Sequence, residues 1–236
     1  MARVTVGPEG LQIDGEPALI QAGVLHYAHL PHPDLWRPLL ERMRMGGLNA
    51  VVIPFPWAYH APAPGFHDFT GPRAVDRLLD EVARVGLWPI PHVGPWISPH
   101  LDAGGLPAWL FQAGVSLPAC SSAELHEPSP AFLRYAETWW RRLFTYLRNQ
   151  GNLLFMLLDP GRCASGVGIP SGAPAHGRAL YELVRRLGMD CPCGLPVELR
   201  HTDAAHEPID AMGGGVAPDF SVTGYHAEDP DPATVK

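Results

Sequence analysis

The residues best suited to chemistry lie in one segment, between Gly94 and Leu110. It carries Trp96, His100 and Asp102, and Trp109 stands near its end. An indole ring can cover the apolar face of a pyranose, and a carboxylate accepts hydrogen bonds from sugar hydroxyls. The alternative is that both tryptophans belong to the core, where large aromatic side chains are usually packed. The residue types therefore favour either a carbohydrate platform or an aromatic part of the core.

A second carboxylate, Asp159, follows the continuous apolar run 152–158. Such a run is typical of a parallel strand that is buried on both faces. Asp102 and Asp159 are therefore the candidate catalytic carboxylates of the chain. The alternative for Asp159 is that it caps the turn before Pro160.

Histidines are frequent, and His26, His29 and His32 recur at even spacing. Neutral imidazole is a common zinc ligand. The spacing matches no known ligand motif, however, and the three residues lie at a strand end and in a loop with prolines. No glycine-rich phosphate loop follows a strand in the required context. We therefore expect neither a metal ion nor a bound cofactor.

Composition narrows the class of protein. Of 236 residues, 46% are hydrophobic and 17% are charged, which indicates a globular chain, and the net charge of −7 argues against nucleic acid as a partner. No apolar run is long enough to span a membrane, and the N-terminus lacks the form of a signal peptide. The four cysteines fit reduced thiols. These features predict a cytoplasmic protein.

Apolar runs and helical periodicity alternate along the chain. Asp34 is the expected cap of the first helix and Ser129, followed by Pro130, the expected cap of the third. Short runs around Gly7-Pro8 and Asp14-Gly15 predict a β-hairpin extension over residues 1–17. The alternation predicts βαβ units on a parallel sheet within one domain, residues 1–236. The predicted strands are 18–24, 48–55, 87–93, 152–158, 195–199 and 220–223, and the predicted helices are 34–45, 72–85, 130–150 and 175–187.

Segment 94–110 resembles a stretch of glycoside hydrolase family 35, the beta-galactosidases, that runs Gly-Pro-Tyr-Ile-Cys-Ala-Glu-Trp-Asp-x-Gly-Gly-Leu-Pro-Ala-Trp-Leu. The match is long and ungapped, which makes it far more specific than a short motif. Segments 23–29, 47–51 and 55–62 also resemble the family's Gly-x-x-His-Tyr-x-Arg, Gly-Leu-Asn-x-Val and Phe-x-Trp-Asn-x-His-Glu-Pro.

The resemblance implies a (β/α)₈ barrel and hydrolysis of terminal beta-galactose with net retention. A galactoside is then the expected ligand. The polar and aromatic groups expected at the carboxyl ends of the strands, and hence the candidate substrate contacts, are Tyr27, Trp57, His60, Trp96, His100 and Asp102.

The chain departs from the family at the residues that matter most. The family's fourth strand ends in Glu-Asn-Glu-Tyr-Gly, and aligned on the preceding apolar run its acid/base falls on Gly161 and the adjacent Asn on Pro160. The sugar-binding Glu falls on His100. Asp159 lies two residues, roughly 6–7 Å, short of the acid/base position along a strand.

About six βα units can be counted, whereas the family's nucleophile belongs to the seventh strand. The expectation is therefore an incomplete barrel that is catalytically inactive or truncated, with open edges for self-association or a partner chain. Two alternatives stay open. One is an active but atypical glycosidase that uses Asp102 and Asp159, and the other is a non-catalytic structural or interaction protein.

Overall fold

The structure is a computed structural model that describes residues 3–7, 10–98, 100–115, 129–159, 173–198 and 220–224. It contains two sheets, one antiparallel with three strands and one with six strands. The predicted strand 152–158 and helix 130–150 lie within the described residues, whereas Pro160 and Gly161 lie outside them.

The antiparallel sheet is formed by β1 (Val4–Gly7), β2 (Gly10–Ile13) and β3 (Glu16–Pro17). In the described part of the predicted extension, residues 3–7 and 10–17, there are three strands where one hairpin was expected. The third strand arises because Asp14 and Gly15 both have positive φ, 53° and 88°, and turn the chain back onto β2.

The second sheet contains six strands in the order of the chain, each parallel to the next. Within the described residues, helices follow the first four of these strands, which confirms the predicted βαβ organisation for that part of the sheet. The strands are β4 (Ala22–Val24), β5 (Ala50–Pro54), β6 (Trp88–Pro95), β7 (Met156–Asp159), β8 (Cys193–Glu198) and β9 (Phe220–Gly224), and the helices are α1 (Trp36–Met45), α2 (Trp57–His60), α3 (Val75–Val85), α4 (Ala108–Gln112), α5 (Pro130–Leu147) and α6 (Ala173–Arg186).

The two faces of this sheet have separate cores because strand side chains alternate. Val51 and Ile53 of β5 join the larger core, to which the helices contribute Leu78, Trp140 and other buried side chains. The opposite face, here called the inner face, carries a smaller cluster that packs against the antiparallel sheet. Its buried members are Ala50, Ile90, Leu154, Phe155 and Leu157.

The start of the first helix differs from its prediction. A single 3₁₀ turn, Pro33–Leu35, precedes α1, and the His32 ring accepts a hydrogen bond from the Asp34 backbone N–H at 3.3 Å. The Asp34 carboxylate, expected to cap the helix, instead pairs with Arg77 of α3 at 2.6 Å. The cap prediction for Asp34 was wrong because an ion pair to the neighbouring helix holds its side chain.

Several element boundaries were also predicted too wide. Strand β4 begins at Ala22 rather than at residue 18, because the Asn49 side chain engages the preceding segment through Gln21 N (2.8 Å) and Leu19 O (2.7 Å). Helix α5 ends at Leu147, and β7 begins only at Met156. The Ser129 cap of α5 is confirmed, since its hydroxyl accepts from Phe132 N at 3.1 Å. Within the described residues, no helix has the length and apolarity needed to cross a membrane.

Candidate functional site

The segment that follows β6 folds as a loop in which Trp96 lies on the backbone of Gly104. A Cβ added at Gly104 would lie 2.1 Å from Cε3 of the Trp96 ring, so only glycine allows this approach. Gly104 also has a φ of +67°, a conformation that glycine adopts without steric cost. The Gly104 carbonyl accepts from Ile97 N at 2.8 Å, which closes the loop on itself. The loop therefore packs against the ring of Trp96, and the glycine at position 104 makes this packing possible.

The loop is fixed to the carboxyl end of β7. Pro95 is the register partner of Asp159, and Trp96 N donates to the Asp159 carbonyl at 3.2 Å. Asp159 is only 6% exposed, and by strand alternation it shares the inner face with Leu157. The structure therefore brings the backbones of two predicted site residues, Trp96 and Asp159, together at adjacent strand ends.

The solvent-facing part of this loop carries the polar candidates. His100 and Asp102 are exposed and Trp96 is partly exposed. Asp102 begins the 3₁₀ turn Asp102–Gly105, which leads back to the glycine under the tryptophan. A partly exposed indole with a carboxylate and an imidazole in the same loop can offer a sugar one apolar face and two hydrogen-bonding groups.

Tyr27 and His60 lie in the core and bind each other. They are 1% and 0% exposed, and the Tyr27 hydroxyl is hydrogen-bonded to His60 Nε2. His60 Nδ1 lies 2.8 Å from the Asp68 carbonyl, which can only accept, so Nδ1 carries the proton and the tyrosine donates to Nε2. Burial lowers the pKa of His60 from 6.5 to about 4 and raises that of Tyr27 well above its usual value. Both groups are therefore neutral at pH 7.

Trp57 is buried as well, with 1% of its surface exposed. Its ring stacks on Trp139 of α5 at 6.2 Å and meets the Trp109 ring edge-on at 6.0 Å. Trp109 donates through Nε1 to the Ala61 carbonyl at 2.8 Å. These contacts give Trp57 and Trp109 packing roles, which was the alternative interpretation of the aromatic residues. A sugar contact from Tyr27, Trp57 or His60 stays a prediction that this packing does not favour.

His92 is a polar residue of the inner face that sequence reasoning missed. It is buried in β6, and its register partner is Leu157, two residues before Asp159 on the same face of β7. His92 and Asp159 therefore face the same side of neighbouring strands near their carboxyl ends. The alternation of Trp88, Ile90 and His92 could have predicted that His92 lies on the same strand face as the other two. The prolines at the positions between them obscured this pattern.

The evenly spaced histidines do not assemble a metal site. The rings of His26 and His29 stack at 5.4 Å, while His32 lies beside Asp34. Across the described ranges, no group of three His, Cys, Asp or Glu side chains is placed to hold a metal ion.

Solved structures establish the class of fold. An exo-beta-1,4-mannosidase from Opitutaceae bacterium strain TAV5 superposes with a TM-score of 0.53 at 20% identity, over 74% of this chain and 31% of that one. A GH5_18 protein from Streptomyces cattleya, in complex with GlcNAc, gives 0.57 at 17% identity, over 76% and 44%. At these identities the likeness concerns the fold alone. The fold is of the (β/α)₈ barrel type, and the described strands supply six consecutive strands of parallel sheet.

Sequence comparison then establishes the family. The family model for Glycosyl hydrolases family 35 matches residues 10–156, and the chain belongs to that family.

Three curated relatives are similar over part of their length. A beta-galactosidase-1-like protein of Mus musculus is 36% identical over 152 residues, 62% of this chain and 22% of that protein. The beta-galactosidase of Mus musculus is 35% identical over 126 residues, 53% and 18% of the two chains. A probable beta-galactosidase C of Aspergillus niger is 33% identical over 121 residues, 51% and 12%. The matched part of this chain thus spans about a fifth or less of these relatives.

Proposed function

We propose that this chain is a galactoside-binding member of its family that does not catalyse hydrolysis through the family's acid/base. The main observation in support of the proposal is the loop after β6. It presents Trp96, His100 and Asp102, and the backbone N–H of Trp96 is hydrogen-bonded to the Asp159 carbonyl at the end of β7. The relatives named as beta-galactosidases support a galactoside as the ligand class.

The binding half of the proposal rests on a prearranged loop. The Trp96 ring packs against Gly104 before a ligand binds, so binding loses less conformational entropy in ordering the ring. Asp102 and His100 are exposed in the same loop and can exchange hydrogen bonds with sugar hydroxyls.

The proposed lack of hydrolysis through the family's acid/base depends on the residues that follow β7. A retaining glycosidase needs two carboxyl groups about 5 Å apart, one of which protonates the leaving oxygen. The strand ends at Asp159, and the sequence continues with Pro160 and Gly161, the positions to which alignment on the apolar run 152–158 assigns the family's Asn and acid/base. Glycine has no side chain and therefore cannot act as the acid that protonates the leaving oxygen. Asp159 stands two residues earlier, and a misplacement of about 1 Å already costs about 100-fold in rate.

One observation favours an active but atypical glycosidase instead. Asp159 is buried on the inner face at the carboxyl end of its strand, which is where barrel enzymes place catalytic side chains. In that case Asp159 would itself serve as the acid, and Asp159→Asn would abolish turnover.

A titration tests the binding half. Galactose and lactose are added to the full chain, to Asp102→Asn and to Asp80→Asn, and binding is followed by calorimetry and by NMR shifts. Asp80 is an exposed carboxylate on α3, outside the loop, and serves as the matched control. We expect Asp102→Asn to weaken binding at least fivefold and Asp80→Asn to leave it unchanged. No heat and no shift changes with either sugar would refute the proposal and favour a structural or interaction protein.

A further inference from the structure

A cavity of about 410 Å³ is lined by residues that do not belong to the loop after β6. Residues of segment 65–69 form one wall, and Arg142, Thr145 and Tyr146 of α5 form the other. The three α5 residues share one helix face because they are three and four positions apart. The volume falls within the range of about 300–1,000 Å³ that is usual for small-molecule pockets.

The walls are aromatic and held by the core. The Phe69 ring packs on Tyr146 at 4.7 Å and stacks on Trp139 at 6.0 Å, with its plane within 5° of parallel. The His67 ring stacks on the same tryptophan at 6.3 Å and 6°. Phe66, in contrast, is 54% exposed although it lines the cavity. Packing against the core therefore fixes the rings of Phe69 and His67, while the Phe66 ring stays exposed at the cavity.

Arg142 is the polar group of the cavity that has charge and hydrogen-bonding capacity to spare. Within the described residues, the Arg142 guanidinium makes no hydrogen bond or ion pair, whereas its neighbour Arg141 pairs with Glu137. The positive charge of Arg142 lowers the pKa of His67, after the larger effect of burial. Burial raises the pKa of Tyr146, nearby Asp76 raises it further, and the positive charge of Arg142 opposes both effects. Among the described residues that line the pocket, Arg142 is the one with a permanent positive charge, and it is placed to receive an anion.

We propose that this cavity binds a small monocarboxylate with a single-ring body. A guanidinium matches a carboxylate through two parallel hydrogen bonds, and charge-assisted bonds of this kind are among the stronger ones. The ring would lie between the Phe66 and Tyr146 side chains, which supply the apolar contact. The site shares no lining residue with the loop after β6, so it is independent of the galactoside proposal.

Benzoate, its neutral analogue benzamide and cyclohexanecarboxylate are the probes, titrated by calorimetry and by NMR of the His67 ring protons. We expect benzoate to bind at least tenfold more tightly than benzamide and to shift the His67 signals. Comparison with cyclohexanecarboxylate tells whether an aromatic or an aliphatic ring is preferred. Equal binding of benzoate and benzamide, or no binding of either acid up to about 10 mM, would overturn the proposal.

Matched variants locate the site. Arg142→Gln should weaken benzoate binding at least tenfold, and Arg141→Gln, one residue away on the same helix, should change it less than twofold. Both positions are exposed, so unchanged circular dichroism is expected for both.

Asp102→Asn should retain full benzoate binding, which separates this site from the proposed sugar site. Equal loss in the two arginine variants would mean that only the general positive charge of α5 is involved, and the proposal would fail.

Discussion

Gly104 is the residue on which the position of Trp96 depends. We expect Gly104→Ala to destabilise the fold by more than the ~1–2 kcal/mol of a positive-φ alanine, because its Cβ would also collide with the indole ring. Gly114→Ala is the matched control, since Gly114 has nearly the same φ, +64°, with no atom within 4 Å of an added Cβ. Chemical denaturation followed by tryptophan fluorescence measures both. Equal losses in the two variants would show that the ring does not rest on Gly104.

His60 makes stability depend on pH. Its pKa is about 4 in the folded chain and 6.5 when unperturbed, so the unfolded chain takes up this proton first as the pH falls. The free energy of unfolding should therefore fall from about pH 6.5 downward, with about 3 kcal/mol lost by pH 4 from this group. Denaturation at a series of pH values, with NMR titration of the His60 ring, checks this. A ring that titrates near pH 6.5 in the folded protein would contradict it.

The sequence predicts the loop residues better than the buried ones. Trp96, His100 and Asp102 lie within seven positions, so one motif places them together. Tyr27 and His60 are 33 positions apart, and their mutual hydrogen bond depends on how two βα connections pack. Local periodicity carries no information on such a contact.

At the scale of elements, α5 is the helix whose start the sequence marks most clearly, with the cap Ser129 followed by Pro130. Ser129→Ala should lower the free energy of unfolding by about 1 kcal/mol, because the Phe132 amide loses its side-chain acceptor. Thr138→Ala, at an exposed mid-helix position, is the control and should be neutral or slightly stabilising. Thermal and urea unfolding measure both variants. A Ser129→Ala variant as stable as the parent would show that the cap does not contribute.

Strand β6 shows why element prediction has limits. Pro89 and Pro91 lie inside it although β5 and β7 pair on either side. A proline lacks the N–H of a ladder bond, which argues against a central strand. Its carbonyl still accepts, and Pro89 O receives Leu154 N at 3.3 Å. Segment β6 is therefore a strand because β5 and β7 pair with it, and not because of its own β-propensity.

At the scale of the molecule, the order and direction of the six strands followed from the alternation of strands and helices. The cavity between segment 65–69 and α5 could not be predicted, because its walls are more than 70 positions apart. The cytoplasmic location and the lack of a nucleic-acid partner stay predictions.

The sheet edges lead to a prediction about assembly. Among the described strands, β4 and β9 each pair on one side only. Unpaired edges favour pairing with another chain, so we expect self-association or a requirement for a partner chain. Light scattering coupled to size exclusion measures the mass. A monomer that melts cooperatively would contradict this expectation.

The central claim is that the family's barrel is kept here without its acid/base, and turnover tests it most directly. Purified full-length chain is incubated with an aryl beta-galactoside beside the Asp159→Asn variant. We predict no turnover by either protein, with a folded state shown by circular dichroism. Turnover by the parent chain that disappears in Asp159→Asn would contradict the account, because the catalytic acid would then be Asp159.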